Sequence, residues 1–177
     1  MMTFAQRMRG AALLDARVYE EVEADSAATR QATAVVLLAS IADGIGLLAP
    51  GALNVQALAI GILAATAGWI AWAILTYLIG TQLLPEPGTR ADVGQLLRTL
   101  GFASTPGLLR VLARIPVLGL TIYVFATCWM LIAMIVAVRQ ALDYKSTARA
   151  IGVCLVGWML SLGMMAAMGM LFAPRVS

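Results

Sequence analysis

The chain has 177 residues, of which 62% are hydrophobic and 12% are charged. Soluble domains are usually about 45–50% apolar and about 25% charged, and a soluble monomer of this size could not bury so much apolar surface. The composition therefore predicts a membrane protein, and it excludes a disordered chain, a collagen-like repeat and a disulfide-rich secreted domain. A net charge of +3 and the absence of histidine argue against a nucleic-acid-binding surface and against histidine-based catalysis.

Residues 1–29 are predicted to form a cytoplasmic tail that contains an amphipathic helix. Its apolar residues recur at steps of three and four, at Phe4, Met8, Ala11, Leu14, Val18 and Val22. That spacing places them on one face of a helix. Two surfaces could receive this face: the membrane interface, or the cytoplasmic loops of the protein itself. Several acidic residues precede any long apolar run, so the tail does not have the pattern of a secretory signal peptide.

Four stretches are apolar and long enough to cross a bilayer, which takes about 20 residues. Residues 44–85 carry no charge. As one helix they would be about twice as long as the hydrocarbon core is thick, so they must fold back, and Pro50-Gly51 is the natural turn. The predicted spans are therefore 30–49, 56–83, 116–139 and 150–172, with a short tail at 173–177.

The segment 94–114 is a fifth and less regular candidate. Arg98, Arg110 and Arg114 interrupt its apolar residues, and both Gly101 and the run Thr105-Pro106-Gly107 are expected to break or kink a helix. The segment could lie in the interface, enter and leave by one face, or cross. Crossing puts the basic tail and the basic loop 139–149 on the same side, as the positive-inside rule favours. The sequence therefore predicts an all-helical membrane bundle with five transmembrane helices.

Asp43 is the only acidic residue deep in one of the four regular spans. A carboxylate in the membrane is a functional candidate. It could accept a proton, bind a cation, or pair with Arg110, which five crossings place in the same outer half. The alternative is a structural residue near a helix end. Asp43, Arg98 and Arg110 are the intramembrane polar candidates, and no catalytic residues, metal site or cofactor are predicted.

Small residues recur along the second span, at Ala57, Gly61, Ala65 and Gly68. Small faces let helices approach each other closely in lipid. The expected use is packing within the bundle, and the alternative is a dimer or a larger assembly.

Three stretches, 13–32, 101–116 and 129–153, resemble the Yip family of Rab/Ypt-interacting membrane proteins, specifically its bacterial branch. The run GFASTPGLLRVLARIP at 101–116 is similar to the Gly-Tyr/Phe-x-x-x-Pro signature of that family. Gly101 and Pro106 match it, Phe102 replaces the more usual tyrosine, and Gly107 completes the predicted helix break. The resemblance implies five transmembrane helices, an inside N-terminus and a short outside C-terminus. Eukaryotic members act in vesicle traffic and bind prenylated Rab GTPases, a partner that a bacterial-type chain need not have.

These features favour a non-enzymatic membrane adaptor or scaffold that organises membrane shape or protein partners, in a bacterial inner membrane. The expected partners are the lipid bilayer and either further copies of the chain or other membrane proteins, and no nucleic acid. Two alternatives stay open. One is a small transporter, channel or lipid-translocating protein that uses Asp43 and Arg110, and the other is an accessory subunit of a larger membrane complex.

Overall fold

The computed structural model describes residues 2–47 and 55–172, with side chains placed up to residue 160 in the last helix. Within these ranges the regular elements are helical. They are α1 (Phe4–Ala12), α2 (Ala16–Ala24), α3 (Ala28–Leu47), α4 (Val55–Leu78), α5 (Val93–Ala103), α6 (Gly119–Ala141) and α7 (Thr147–Phe172). A π-helical turn (Ile79–Leu83) extends α4, and a 3₁₀ helix (Thr105–Arg114) follows α5.

Three helices are long and apolar enough to cross a membrane: Ala28–Leu47, Val55–Leu83 and Gly119–Ala141. They overlap the spans predicted at 30–49, 56–83 and 116–139, of which residues 48 and 49 lie outside the described residues. The span predicted at 150–172 falls on α7, whose stretch Thr147–Leu160 is an apolar helix of shorter length. The predicted turn at Pro50-Gly51 and the tail at 173–177 lie outside the described residues.

The N-terminal tail forms two short helices, so the expectation of one continuous amphipathic helix is wrong. α1 ends at Ala12, and Leu14 just beyond it has a φ of 62°, in the left-handed region that a regular helix excludes. Asp15 then caps α2, because its Oδ1 accepts a hydrogen bond from the backbone N–H of Arg17 at 3.1 Å. The predicted apolar face is nevertheless the one that packs inward, since Ala11 and Val22 are fully buried.

Arg7 holds this tail against the rest of the bundle. Its side chain is only 1% exposed, and Nη2 lies 3.0 Å from Glu21 Oε1 and 2.7 Å from Asp25 Oδ2. Nη1 donates to Gln31 Oε1 on α3 at 2.9 Å. Because a buried cation needs partners, this cluster fixes α1 to α2 and to the start of α3.

The tail also contacts the helices that follow. Trp129 Nε1 on α6 donates to the carbonyl of Ala12 at 2.7 Å, and the rings of Phe4 and Phe102 meet edge to face with centroids 6.3 Å apart. Both contacts join the tail to the protein itself, which is one of the two surfaces considered for its apolar face. We call the end of the bundle that carries the tail the base; it contains the start of α3 and α7 and the end of α4 and α6.

Close approaches between helices give their directions. They occur in order along α3 and along residues 93–114: Ala32 with Gly101, Ala39 with Gly107, and Gly46 with Arg110. Residues 93–114 therefore run parallel to α3, away from the base. The same kind of contact makes α6 antiparallel to them, through Met130 with Gly107 and Thr127 with Arg110. It also makes α7 antiparallel to α4, through Gly152 with Leu84 and Gly157 with Trp72.

The base is tightly packed and the opposite end is open. At the base, Tyr144 donates its hydroxyl to the carbonyls of Gly80 and Leu84 at 2.8 and 2.7 Å, and Glu86 accepts from the backbone N–H of Lys145 at 2.9 Å. At the open end, formed by residues 40–47, 55–68 and 104–125, large apolar side chains are exposed, as Leu63 is to 70%. Among the described residues, two cavities lie between the helices at that end.

Candidate functional site

Asp43 and Arg110 form an ion pair at the open end. Arg110 Nη1 donates to Asp43 Oδ1 at 3.0 Å, and Nη2 donates to the hydroxyl of Thr127 at 2.9 Å. The guanidinium carbon also lies 4.8 Å from the centre of the Tyr123 ring, within the range of a cation–π contact. Arg110 is 14% exposed and Asp43 33%. One side chain on the 3₁₀ helix thus connects α3 to α6.

The 3₁₀ helix is what points Arg110 at Asp43. Pro106 has no N–H to donate to the carbonyl of Phe102, four residues earlier in α5, and side-chain hydroxyls bond the last carbonyls of that helix instead. Thr105 Oγ1 donates to the carbonyl of Phe102 at 2.6 Å, and Ser104 Oγ to that of Leu100 at 3.2 Å. Beyond the break, residues three apart share a face, so Gly107 and Arg110 both face α3.

Part of the predicted helix break does not break the helix. Gly101 and Phe102 lie inside α5, which ends only at Ala103. Gly101 instead allows a close approach, because a Cβ there would lie 2.7 Å from the Cβ of Ala32. Phe102 is fully buried. Pro106 and Gly107 lie in the first turn of the 3₁₀ helix, which begins at Thr105.

A cavity of about 420 Å³ lies beside the ion pair, between α3, α4, the 3₁₀ helix, α6 and α7. A second cavity, of about 290 Å³, lies between α3 and α4 nearer the open end. Ser40, Asp43 and Ala65 line both. We call the two together the α3–α4 groove. Its walls are otherwise mostly apolar, and they include Trp69, Trp72, Met130 and Trp158.

The small residues of α4 line this groove. Gly61 and Ala65 face the outer cavity, and Gly68 faces the inner one. Among the described residues, a Cβ added to Gly61 or Gly68 would meet no atom within 4 Å. These two glycines border the groove, and the use of the small face, in packing within the bundle or in an assembly, stays a prediction.

Arg98, the third polar candidate, lies at the base and not beside the other two. It is 9% exposed, and its Nε donates to the carbonyls of Val22 at 3.0 Å and Glu23 at 3.1 Å. These are among the last carbonyls of α2, which have no partner within that helix. Arg98 thus ties α5 to the tail.

The sequence did not predict two features of the base: the ion pairs of Arg7 and the contacts of Glu86. The position of Arg7 does carry a signal, because it shares the three-to-four-residue spacing of Phe4 and Ala11, which places it on the buried face. The contacts of Glu86 with the loop before α7 join residues about 60 positions apart, and no local pattern marks them.

Among the described residues, no three His, Cys, Asp or Glu side chains come together as a metal site requires.

Glu23 is half-buried between α2 and α5, where its Oε1 accepts from Gln95 Nε2 at 3.0 Å. Burial raises the pKa of this carboxyl from 4.5 to about 7. The negative charge of Asp143 raises the pKa further, and the positive charge of Arg98 opposes the shift. The base thus contains a carboxyl that titrates near neutral pH.

The comparisons with known proteins give one match. A family model described as the Yip1 domain matches residues 16–168, which is most of the chain. No curated protein and no solved structure matches. The matched range includes α2, all of the segment 93–114 and the residues of the α3–α4 groove.

We expect a double-mutant cycle with Asp43→Asn and Arg110→Gln to show a coupling of about 1–3 kcal/mol in the free energy of unfolding in mixed micelles. Each single change leaves a partly buried charged partner without its counter-ion, so the double variant should lose less than the sum. Arg114→Gln, an exposed position on the same 3₁₀ helix, is the matched control and should be additive with Asp43→Asn. Additive effects of Asp43→Asn and Arg110→Gln would show that the pair contributes no stability.

We expect the base to lose stability as the pH rises from about 5 to about 8. Between the ordinary and the raised pKa of Glu23 the folded protein holds a proton that the unfolded chain has released, so rising pH removes stability. The loss should be about 1 kcal/mol, since water screens a half-exposed carboxyl. Thermal unfolding in detergent measures it. Glu23→Gln should abolish the decline and Glu20→Gln should keep most of it, whereas a midpoint that rises with pH would contradict this origin.

Proposed function

Because the chain belongs to the Yip1-domain family of membrane proteins, we propose that it acts without catalysis, as an adaptor or organiser of membrane shape or of protein partners. The Yip family is a family of non-enzymatic membrane proteins. The attachment of the tail to the bundle carries the proposal. Three side chains bond the tail to the bundle: Arg98 and Trp129 donate to carbonyls of the tail, and Arg7 joins α1 to α2 and α3. A partner or a membrane surface that binds the tail therefore also acts on the spans.

We propose five crossings, with the base on the cytoplasmic side of a bacterial inner membrane and the C-terminus outside. α5 and the 3₁₀ helix together extend about 36 Å at their ideal rises, and a hydrocarbon core is about 30 Å thick. This segment runs the length of α3, and its two most buried arginines have partners. Those contacts support a crossing despite the charges that it carries.

Cysteine labelling tests the number of crossings. Single cysteines replace the exposed residues Arg90, Pro116 and Lys145 in a background without Cys128 and Cys154. With five crossings, a membrane-impermeant thiol reagent should label residue 116 only from outside and residues 90 and 145 only from inside. If the segment does not cross, residue 116 will react from the same side as residue 90, and residue 145 from the opposite side.

Reconstitution tests the function. The pure protein in liposomes should form assemblies of defined mass, recruit a partner protein or change vesicle size, without moving lipid or ions across the bilayer. Arg7→Gln should release α1 from the base and reduce the effect, because it removes both ion pairs. The matched control is Arg17→Gln, since Arg17 pairs with Asp15 on the surface and its removal should change little.

The same liposomes test the second candidate function, translocation of lipid or small solutes, and distinguish it from the organiser function. The ion pair beside a cavity favours that candidate, because discontinuous helices and buried charges often form intramembrane binding sites. Flux that Asp43→Asn abolishes would establish translocation. A protein that neither assembles, nor recruits a partner, nor changes vesicle size would refute the organiser.

A further inference from the structure

We propose that the tail thins the bilayer on one side of the bundle, so that lipid headgroups and water reach halfway along α6 there, while hydrocarbon covers the same depth on α4. The partner is the phospholipid of the leaflet on the side of the base. The proposal rests on the proposed crossings of α4 and α6. It gives the organiser function a mechanism, because a bilayer that meets two thicknesses on one protein must deform.

The depth of the tail follows from one hydrogen bond. The carbonyl of Ala12, at the end of α1, accepts from Trp129 Nε1 at 2.7 Å. Trp129 lies twelve residues before the end of α6 at Ala141, which places it about 18 Å from the base at the ideal helical rise. The turn between α1 and α2 therefore lies beside the middle of a helix that is long and apolar enough to cross a membrane.

A second route, through α3, gives the same depth. Met130, next to Trp129, closely approaches Gly107, which in turn closely approaches Ala39. Ala39 lies eleven residues from the start of α3 at Ala28, about 16 Å from the base. Both routes place the turn of the tail alongside the spans and well above the base.

The outward surface of the tail is polar at this depth. Arg17 is 84% exposed and pairs with Asp15 at 2.9 Å, and Arg9, one turn before Leu13, is also exposed. Charged side chains are costly at the centre of a bilayer. Leu13 is exposed among them, and such a mixture of apolar and charged side chains is typical of the headgroup boundary. Headgroups and water must therefore reach the turn of the tail.

The two sides of the bundle then require different thicknesses of hydrocarbon. Ten residues of α6 lie between Trp129 and its other end at Gly119, about 15 Å. On the other side, the apolar helix Val55–Leu83 runs for 29 residues without a charge, about 40 Å. A hydrocarbon core about 30 Å thick fits along α4 and is about twice too thick for α6 beside the tail.

The bonds of the tail decide that the bilayer is what yields. If the tail left the bundle, Trp129 would lose the carbonyl of Ala12, and Arg98 would lose the carbonyls of Val22 and Glu23. A buried guanidinium without partners is strongly destabilising, whereas thinning a bilayer costs little per ångström. The tail therefore stays on the bundle, and the headgroups move to it.

Two alanines provide matched positions for a test. Ala16, beside the turn of the tail, and Ala67, on α4, are both exposed among the described residues. They lie at the same depth, because Ala67 and Trp129 are each thirteen positions from the close approach of Gly80 to Leu142, and α4 and α6 both end at the base. Ala16→Cys and Ala67→Cys each carry one spin label on the full chain, in a background without the native cysteines.

Collision rates of the labels in phosphatidylglycerol–phosphatidylcholine liposomes measure the local medium. A nickel chelate present on both sides of the bilayer reports water, and oxygen reports hydrocarbon. We expect the ratio of chelate to oxygen collisions to be at least about tenfold higher at residue 16 than at residue 67, because hydrocarbon excludes a polar chelate. Equal ratios would mean a bilayer of the same thickness on both sides and would overturn the proposal.

A distance measurement shows whether the tail is still attached. Labels at residue 16 and at the native Cys128, which is exposed next to Trp129, should give one short, narrow distance in the same liposomes. A residue 16 in water with a long or broad distance would mean that the tail has left the bundle, and would overturn the proposal. The crossings and vesicle size are measured separately, so failure of the organiser function is distinguishable from failure here.

Discussion

A guanidinium removed from water must find partners inside the protein, and the bundle is arranged around that constraint. The segment 93–114 lies between α3 and α6 with two of its arginines largely buried. Arg98 bonds the last carbonyls of α2, and Arg110 bonds Asp43 and Thr127. Without these partners the segment would be costly to keep inside the helices. With them, the same two residues connect the tail to one end of the bundle and α3 to α6 at the other.

The two ends of the bundle differ because their residues differ in size and in bonding. At the base, alanines and valines pack closely, and Arg7, Tyr144 and Glu86 join segments distant in sequence. At the open end, glycine and alanine form one face of α4, and a Cβ at Gly61 or Gly68 meets no atom of the described residues within 4 Å. The groove next to Asp43 and Arg110 lies at this end, between α3 and α4.

The Yip1-domain match and the structure contribute different information. The match covers residues 16–168 and identifies the family, which is one of membrane proteins. The structure contributes the bonds between the tail and the helices, on which the organiser function rests, and the ion pair beside the groove, which favours the alternative of translocation. A fold hosts many functions, so each of these proposals is argued from its own residues.

The sequence alone determined the membrane setting, the three long apolar helices and the inward face of the tail, because hydropathy and helical spacing are local properties of the chain. It also put Asp43 and Arg110 forward as a possible pair. Only the tertiary structure decided that they meet while Arg98 stays at the base, that the first helix of the tail ends at Ala12, and that Gly101 lies within α5 as a contact point. Those outcomes depend on which segment packs beside which. Residues 67 positions apart come together through the parallel course of α3 and the segment 93–114, which no local pattern encodes.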